Sequence, residues 1–224
     1  MDLSTPQAST PSASPAPIKK LSSKLVLLIA AGVVALGLLA WVAGTYNRLV
    51  TAREAVKTSW SAVESDYQRR SDLVPNLVST VKGAANFEQS TLVRVTEARA
   101  KATSTSVNLD SPESIRAFSA NQGQLSGALS RLLVSVEAYP QLTATQNFKD
   151  LQSQLEGTEN RIAVARKDYS GVAKNYNTLR SRFPTVVLAG LFGFKERTYF
   201  ESEAGASKAP SVDFTAPVAP ATNQ

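Results

Sequence analysis

The sequence predicts an all-α protein: an N-terminal transmembrane helix followed by an antiparallel four-helix bundle of long helices. Three observations carry that expectation. One run of twenty residues holds no charge. Apolar residues then recur at alternating spacings of three and four, the pattern of helices that each bury one stripe. The connections between stripes are short, so neighbouring helices turn back on one another. Composition narrows the chemistry further. The 224 residues include neither Cys nor His, which removes disulfides, thiolate and imidazole metal ligands, Ser-His-Asp triads and cysteine nucleophiles. A net charge of +6 suits an anionic membrane surface at least as well as nucleic acid.

Residues 1–17 contain four Pro and almost no large apolar side chain, and 208–224 contain three more Pro. Such stretches cannot bury enough surface to offset their ordering entropy, so disordered tails are expected at 1–21 and 201–224. The charge-free run, LVLLIAAGVVALGLLAWVAG, occupies 25–44 within a membrane segment placed at 22–44. At about 1.5 Å per residue it spans about 30 Å, the thickness of a bilayer core. Leu, Ile and Val fill eleven of its positions, each favouring insertion by roughly 0.3 to 0.6 kcal/mol. Trp41 and Tyr46 stand at its end, where amphipathic aromatics prefer the interface. A cleavage site needs two small residues with one residue between them, but Leu38 stands two before Ala40 and Trp41 two before Ala43. The segment is therefore read as a retained anchor. Lys19, Lys20 and Lys24 before the span balance Arg48, Arg53 and Lys57 after it. The lysines are more tightly grouped, which places the bundle outside the cytoplasm, with a cytoplasmic bundle as the alternative.

The bundle is expected over 45–200. Its first stripe is Tyr46, Leu49, Arg53, Val56, Trp60, Val63 and Tyr67. The polar string RRSDLVPN at 69–76 is read as a turn, with Ser71 capping a second helix and Pro75 in its first turn. The second stripe runs through Val74, Val78, Val81, Ala85, Glu88, Leu92, Val95, Arg99 and Ala102. A turn cluster at 104–114 leads to the third: Ile115, Phe118, Gln122, Leu125, Leu129, Leu132, Val136 and Tyr139. Tyr139-Pro140 ends it. The fourth holds its spacing from Phe148 to Phe183 with one polar position, Thr158.

Beyond it, VVLAGLFGF at 186–194 is too short to span a bilayer. Between Arg161 and Arg197 there are eight basic and two acidic residues. Arg180, Arg182, Phe192, Phe194, Lys195 and Arg197 are expected to form a membrane-proximal patch that meets anionic lipid, folds back as a plug on the bundle core, or does both. Counting from the turn at 69–76 sets Arg53 level with Glu88, and Glu159 near Arg69 and Arg70. These are read as structural ion pairs that fix helix register rather than as a ligand or proton site. Glu64/Asp66 and Glu156/Glu159 also suit a divalent cation, but solvated helix faces look the same. With no Gly-rich phosphate loop and no basic run beyond two residues, neither a cofactor nor a nucleic-acid partner is expected.

The strings YNRLV, RRSDLVPNLV, LEGTENRI and FPTVVLAGLFGF resemble the LemA family of bacterial membrane proteins, in two blocks at 45–100 and 138–200. Members often carry a more aromatic or His-containing stretch where this chain reads GAANFE at 83–88. The resemblance implies a helical bundle behind one N-terminal membrane helix in the bacterial inner membrane, and no established reaction. Relatives in bacterial membrane organelles such as magnetosomes imply a role in membrane organisation. The resulting expectation is a membrane-anchored scaffold or adaptor, not an enzyme. Its partners would be membrane lipid and another membrane or periplasmic protein, with oligomerisation open. The alternatives are a stress-sensing input that responds by helix repacking, and a carboxylate enzyme using Glu88 or Glu159.

Overall fold

The computed structural model describes residues 22–83 and 87–200. The tails expected at 1–21 and 201–224 lie outside the described residues, as does Ala85 of the second stripe. The described elements are α1 Ser23–Lys82, α2 Gln89–Ser104, α3 Pro112–Val136, α4 Pro140–Thr143, α5 Gln146–Ser181 and α6 Thr185–Leu191, with no strand among them. The chain divides into two compact units after Gly44. The first supplies the start of α1, the one helix among the described residues long and apolar enough to cross a membrane. Its Leu27, Leu36 and Leu39 are each about two-thirds exposed, as the surface of a lipid-embedded helix requires.

In the second unit, residues 45–82 of α1 run antiparallel to α5. Trp60 packs on Tyr169 with ring centroids 5.2 Å apart, and Arg70 meets Glu159 at 2.7 Å. Ten residues forward on α1 thus match ten residues back on α5. Helices α2 and α3 complete an up-down-up-down arrangement. The bundle has a base, near Thr45, and a tip, where α1 ends at Lys82, α2 begins at Gln89 and α3 passes through 137–145 to α5. Residues 45–82 and the 36 residues of α5 make rods of about 55 Å, whereas the 16 residues of α2 reach only about 24 Å. Helix α2 therefore walls the tip alone, and the extended residues 194–200 take its place at the base.

The turn expected at 69–76 does not form. α1 continues to Lys82, Ser71 is buried rather than capping, and Pro75 lies inside the helix. The buried stripe Trp60, Val63, Tyr67, Arg70, Val74, Leu77 and Val81 keeps its 3/4 spacing across the proline. A helical proline removes the N–H that would bond the carbonyl four residues earlier, here that of Ser71. Arg99 on α2 supplies the missing donor: its Nε–H bonds the Ser71 carbonyl at 2.8 Å. α1 ends at Lys82 and α2 begins at Gln89, so the second stripe is split between α1 and α2.

The third stripe is buried at every position from Ile115 to Val136; Tyr139 falls beyond α3, capping α4. Ser111 caps α3, its Oγ accepting from Ser114 N–H at 3.2 Å and donating to Glu113 at 2.9 Å. The Glu113 backbone N–H and this hydroxyl hold the Glu113 carboxyl below the usual range. The fourth stripe is carried by α5, but Phe183 lies past its end and is 84% exposed.

The core separates into two clusters. At the tip it is aliphatic: Val74, Leu77, Val81, Leu92, Val95, Leu125, Leu129, Leu132 and Leu155 with one buried aromatic, Phe148. At the base it is aromatic, with Trp60, Tyr67, Phe118, Tyr169, Tyr176 and Phe194 among Leu49, Val56, Val63 and Ile162.

Candidate functional site

The residues with most chemical character collect at the base and at the joint between the two clusters. The base begins with the reversal after α5. The Phe183–Pro184 peptide is cis, and α6 then buries Leu188 and Ala189. Gly193 ends α6 at φ +68°, a left-handed conformation that a side chain disfavours. The N–H groups of Phe194 and Gly193 bond the carbonyls of Ala189 at 2.9 Å and Gly190 at 3.3 Å, the paired bonds of a Schellman turn. That turn points Phe194 into the core.

From Phe194 to Phe200 the backbone has no neighbouring strand, so side chains of α5 satisfy it. Arg180 Nε donates to the Phe194 carbonyl at 2.6 Å, Tyr176 to Lys195 at 2.9 Å and Tyr169 to Thr198 at 3.1 Å. Asn177 holds both sides of Arg197: its Nδ2 donates to the Arg197 carbonyl at 2.8 Å, and its Oδ1 accepts the Arg197 N–H at 2.9 Å. The strap ends with Phe200 stacked on Trp60 at 5.6 Å, under the Arg166 guanidinium. Burial pushes the Tyr169 hydroxyl up to about 12 and raises Tyr176 as well, so both donate at neutral pH.

The joint is built on Arg70, 1% exposed. Its guanidinium donates to Ser126 Oγ and Glu159 Oε1, each at 2.7 Å, and to Gln122 Oε1 at 2.6 Å. It also lies 5.0 Å from the Tyr67 ring centroid. One cation thereby ties α1, α3 and α5 together. The Glu159 carboxylate is half-exposed, at 46%, so one side of the pair stays hydrated.

Two sequence expectations need correction here. Arg53 and Glu88 do not pair. Glu88 stands at the start of α2, accepting from Ser90 and Thr91, beyond the end of α1 at Lys82, which is itself about 44 Å along the helix from Arg53. Arg53 instead lies near Glu54 and over the Phe194 ring. The expected membrane-proximal patch is also divided. Phe194 and Arg197 are buried, at 4% and 6%, Arg197 bonding Asp110 of the α2–α3 connection at 2.7 Å. Arg180 is half-buried on α5, bonded to the strap, while Arg182, Phe192 and Lys195 are exposed. Arg69 faces outward beside the buried Arg70.

Asn177, Asp110, Gln122 and Arg99 escaped the sequence reading of functional positions. Arg99 and Gln122 left a signal, each as a polar side chain within an apolar stripe. Among the described residues no three acidic side chains converge as a metal site would need.

The sequence profile of the LemA family matches residues 59–214. The magnetosome proteins MamQ 1 and MamQ 2 of Paramagnetospirillum magneticum are each 27% identical over 177 residues, 70% of this chain and 65% of theirs. The same figures hold for MamQ of Magnetospirillum gryphiswaldense. Protein LemA of Metamycoplasma hominis is 22% identical over 135 residues, 60% of this chain and 59% of that protein. The chain thus spans a little under two thirds of the length of these relatives. With a family profile that covers the tip, the joint and all of the base beyond residue 58, this chain belongs to the LemA family.

Proposed function

We propose that the protein is a membrane-anchored scaffold that holds a stiff helical bundle out from the bilayer for a protein partner. One observation carries this reading: the helix that contains the apolar span continues into a bundle whose buried polar groups bond one element to another. Arg70 joins three helices, and Asn177 and Arg197 lock the strap. The similarity to magnetosome proteins supports a role in organising membrane, and the proposal assigns the protein no reaction. The partner surface we favour is a groove of about 600 Å³ between α2 and α3, with Arg94, Lys101 and Arg131 as its cations and Glu97 its one acid. Its lining includes Gly123 and Gly127, where an added Cβ would meet nothing within 4 Å. The excess positive charge suits an acidic segment of a partner.

A photo-crosslinking residue at Gly127 in the full chain, irradiated in cells, tests this. The scaffold reading expects one discrete protein adduct that disappears when Arg94 and Arg131 become Glu. The absence of a discrete adduct here and at outward positions on α5 overturns it. The grouped lysines Lys19, Lys20 and Lys24 favour a bundle outside the cytoplasm. A reporter fused at residue 204 should then be active only as an exported protein.

A further inference from the structure

Exposed large apolar side chains are scattered singly over most of the second unit, as at Val93, Val134 and Val164, and single ones carry no message. Around α6 they are concentrated. Phe183 is 84% exposed, Val186 41%, Val187 62%, Leu191 76% and Phe192 47%. The opposite side of the same short helix is sealed into the base by Leu188 and Ala189. A soluble surface has no reason to keep five such groups within ten residues.

Their position along the chain says what covers them. The Tyr46 ring packs on Phe192 at 5.1 Å and on Phe194 at 5.7 Å. Tyr46 lies two residues past Gly44, the last residue of the apolar run at 25–44. That is about 3 Å of helix, while the headgroup layer on each side of a bilayer core is about 5 to 8 Å deep. A side chain in contact with Tyr46 therefore stands at headgroup level, whatever angle the span takes to the bundle. Arg182 and Lys195 are exposed on either side of the apolar group, the arrangement of an interfacial anchor on anionic lipid.

We propose that the outer face of α6 is a second membrane contact. Phe183, Val186, Val187, Leu191 and Phe192 enter the boundary between headgroups and acyl chains of an anionic bilayer, with Arg182 and Lys195 on lipid phosphates. The bundle is then held at two points, the span and α6, rather than swinging from one. This rests on the reading of the chain as membrane-anchored, and the experiment separates the two.

The chain has no Cys, so single-cysteine variants of the full protein label cleanly. Val187→Cys and Leu191→Cys, with Val134→Cys on α3 as a reference, carry an environment-sensitive fluorophore in vesicles of phosphatidylcholine and phosphatidylglycerol. All three positions are exposed in the bundle, so the label displaces no core group. Quenching by lipids with spin labels near the headgroup should be several-fold greater at Val187 and Leu191 than at Val134. Replacing Arg182 and Lys195 with Gln should reduce the excess in these vesicles to its value in phosphatidylcholine alone. Labels at Val187 and Leu191 as water-exposed as at Val134, on protein that still floats with the vesicles, overturn the α6 contact and leave the anchor standing. Labels shielded from water but not quenched by lipid place a second copy of the chain there and equally overturn it. Protein that does not float with the vesicles removes both readings.

Discussion

At the tip, α1, α2, α3 and α5 close on one another through Val, Leu and Ala, and nearly every buried group belongs to a helical stripe. At the base, α1 and α5 have no equivalent of α2 beside them. The gap is filled by large rings and by an extended strap whose carbonyls are held by side chains of α5. The difference teaches where conformational freedom is confined. Aliphatic packing is non-directional and spread over many contacts. The strap depends on a handful of directional bonds, each worth about 0.5 to 1.5 kcal/mol. Local opening should therefore begin at the base.

Breaking the joint gives the largest effect. Arg70→Ala leaves Glu159, Gln122 and Ser126 without their shared donor and should cost about 3 to 5 kcal/mol, because each acceptor left unsatisfied inside the bundle costs about 1 to 3 kcal/mol. Chemical denaturation of the full chain in mild detergent, followed by circular dichroism, measures it. Glu159→Gln keeps an acceptor for Arg70 but leaves its buried guanidinium without a counter-charge, so it should also destabilise the joint. Leu132, fully buried at the tip, is next: Leu132→Ala should cost about 2 to 5 kcal/mol. Its hydrogen-exchange signature should be confined to α2 and α3, with the strap protected as before. Uniform loss of protection would show that the two halves unfold as one.

A third test addresses the proline. Arg99→Met should cost about 1.5 to 3 kcal/mol, the range for a bond from a charged donor. In a Pro75→Ala background the helix regains its own donor to Ser71, so the same substitution should cost much less. A double-mutant cycle with no coupling would refute the compensation. The smallest effect sharpens the account of the strap. Tyr169→Phe removes one bond to Thr198 and should cost about 1 kcal/mol, with faster exchange at 194–200 and none at the tip. The Tyr169 hydroxyl, raised to about 12 when folded, ionises near 10 when unfolded. Its contribution is full below pH 10 and fades as pH rises towards 12, because the unfolded chain releases its proton first. Alkaline titration should therefore loosen the base before the tip, and Tyr169→Phe should flatten the start of that transition.

Much of the tip was legible in the sequence. Ile115 to Val136 and Phe148 to Tyr176 carry the helical period plainly, and each stripe reports its own burial. The error at 69–76 came from reading a proline locally. Ser71 and Pro75 look like a helix start unless Arg99, twenty-eight residues away in the chain, is known to fill the gap. The Arg53–Glu88 expectation inherited that displaced turn. The Arg70–Glu159 expectation rests on the same displaced turn, yet the two meet, because α5 runs antiparallel to α1 on both sides of residue 70. Nothing comparable applied to the strap. Residues 194–200 have no period, and Asn177, the residue that holds them, looks like any polar side chain on a long helix. For Phe194 and Arg197 composition left lipid contact and a core plug equally open, because an apolar run beside cations looks the same whether it faces a bilayer or a core.

The bond from Arg99 to the Ser71 carbonyl also bears on the order in which the chain acquires structure. An isolated α1 has an interruption at Pro75, and only the arrival of α2 removes it. The segment up to Ser71 can coil early, as it emerges from synthesis. Its continuation must wait for a residue not yet made. Nucleation of the far end is thus postponed until the first hairpin closes, and completion of the longest helix becomes a late, cooperative event.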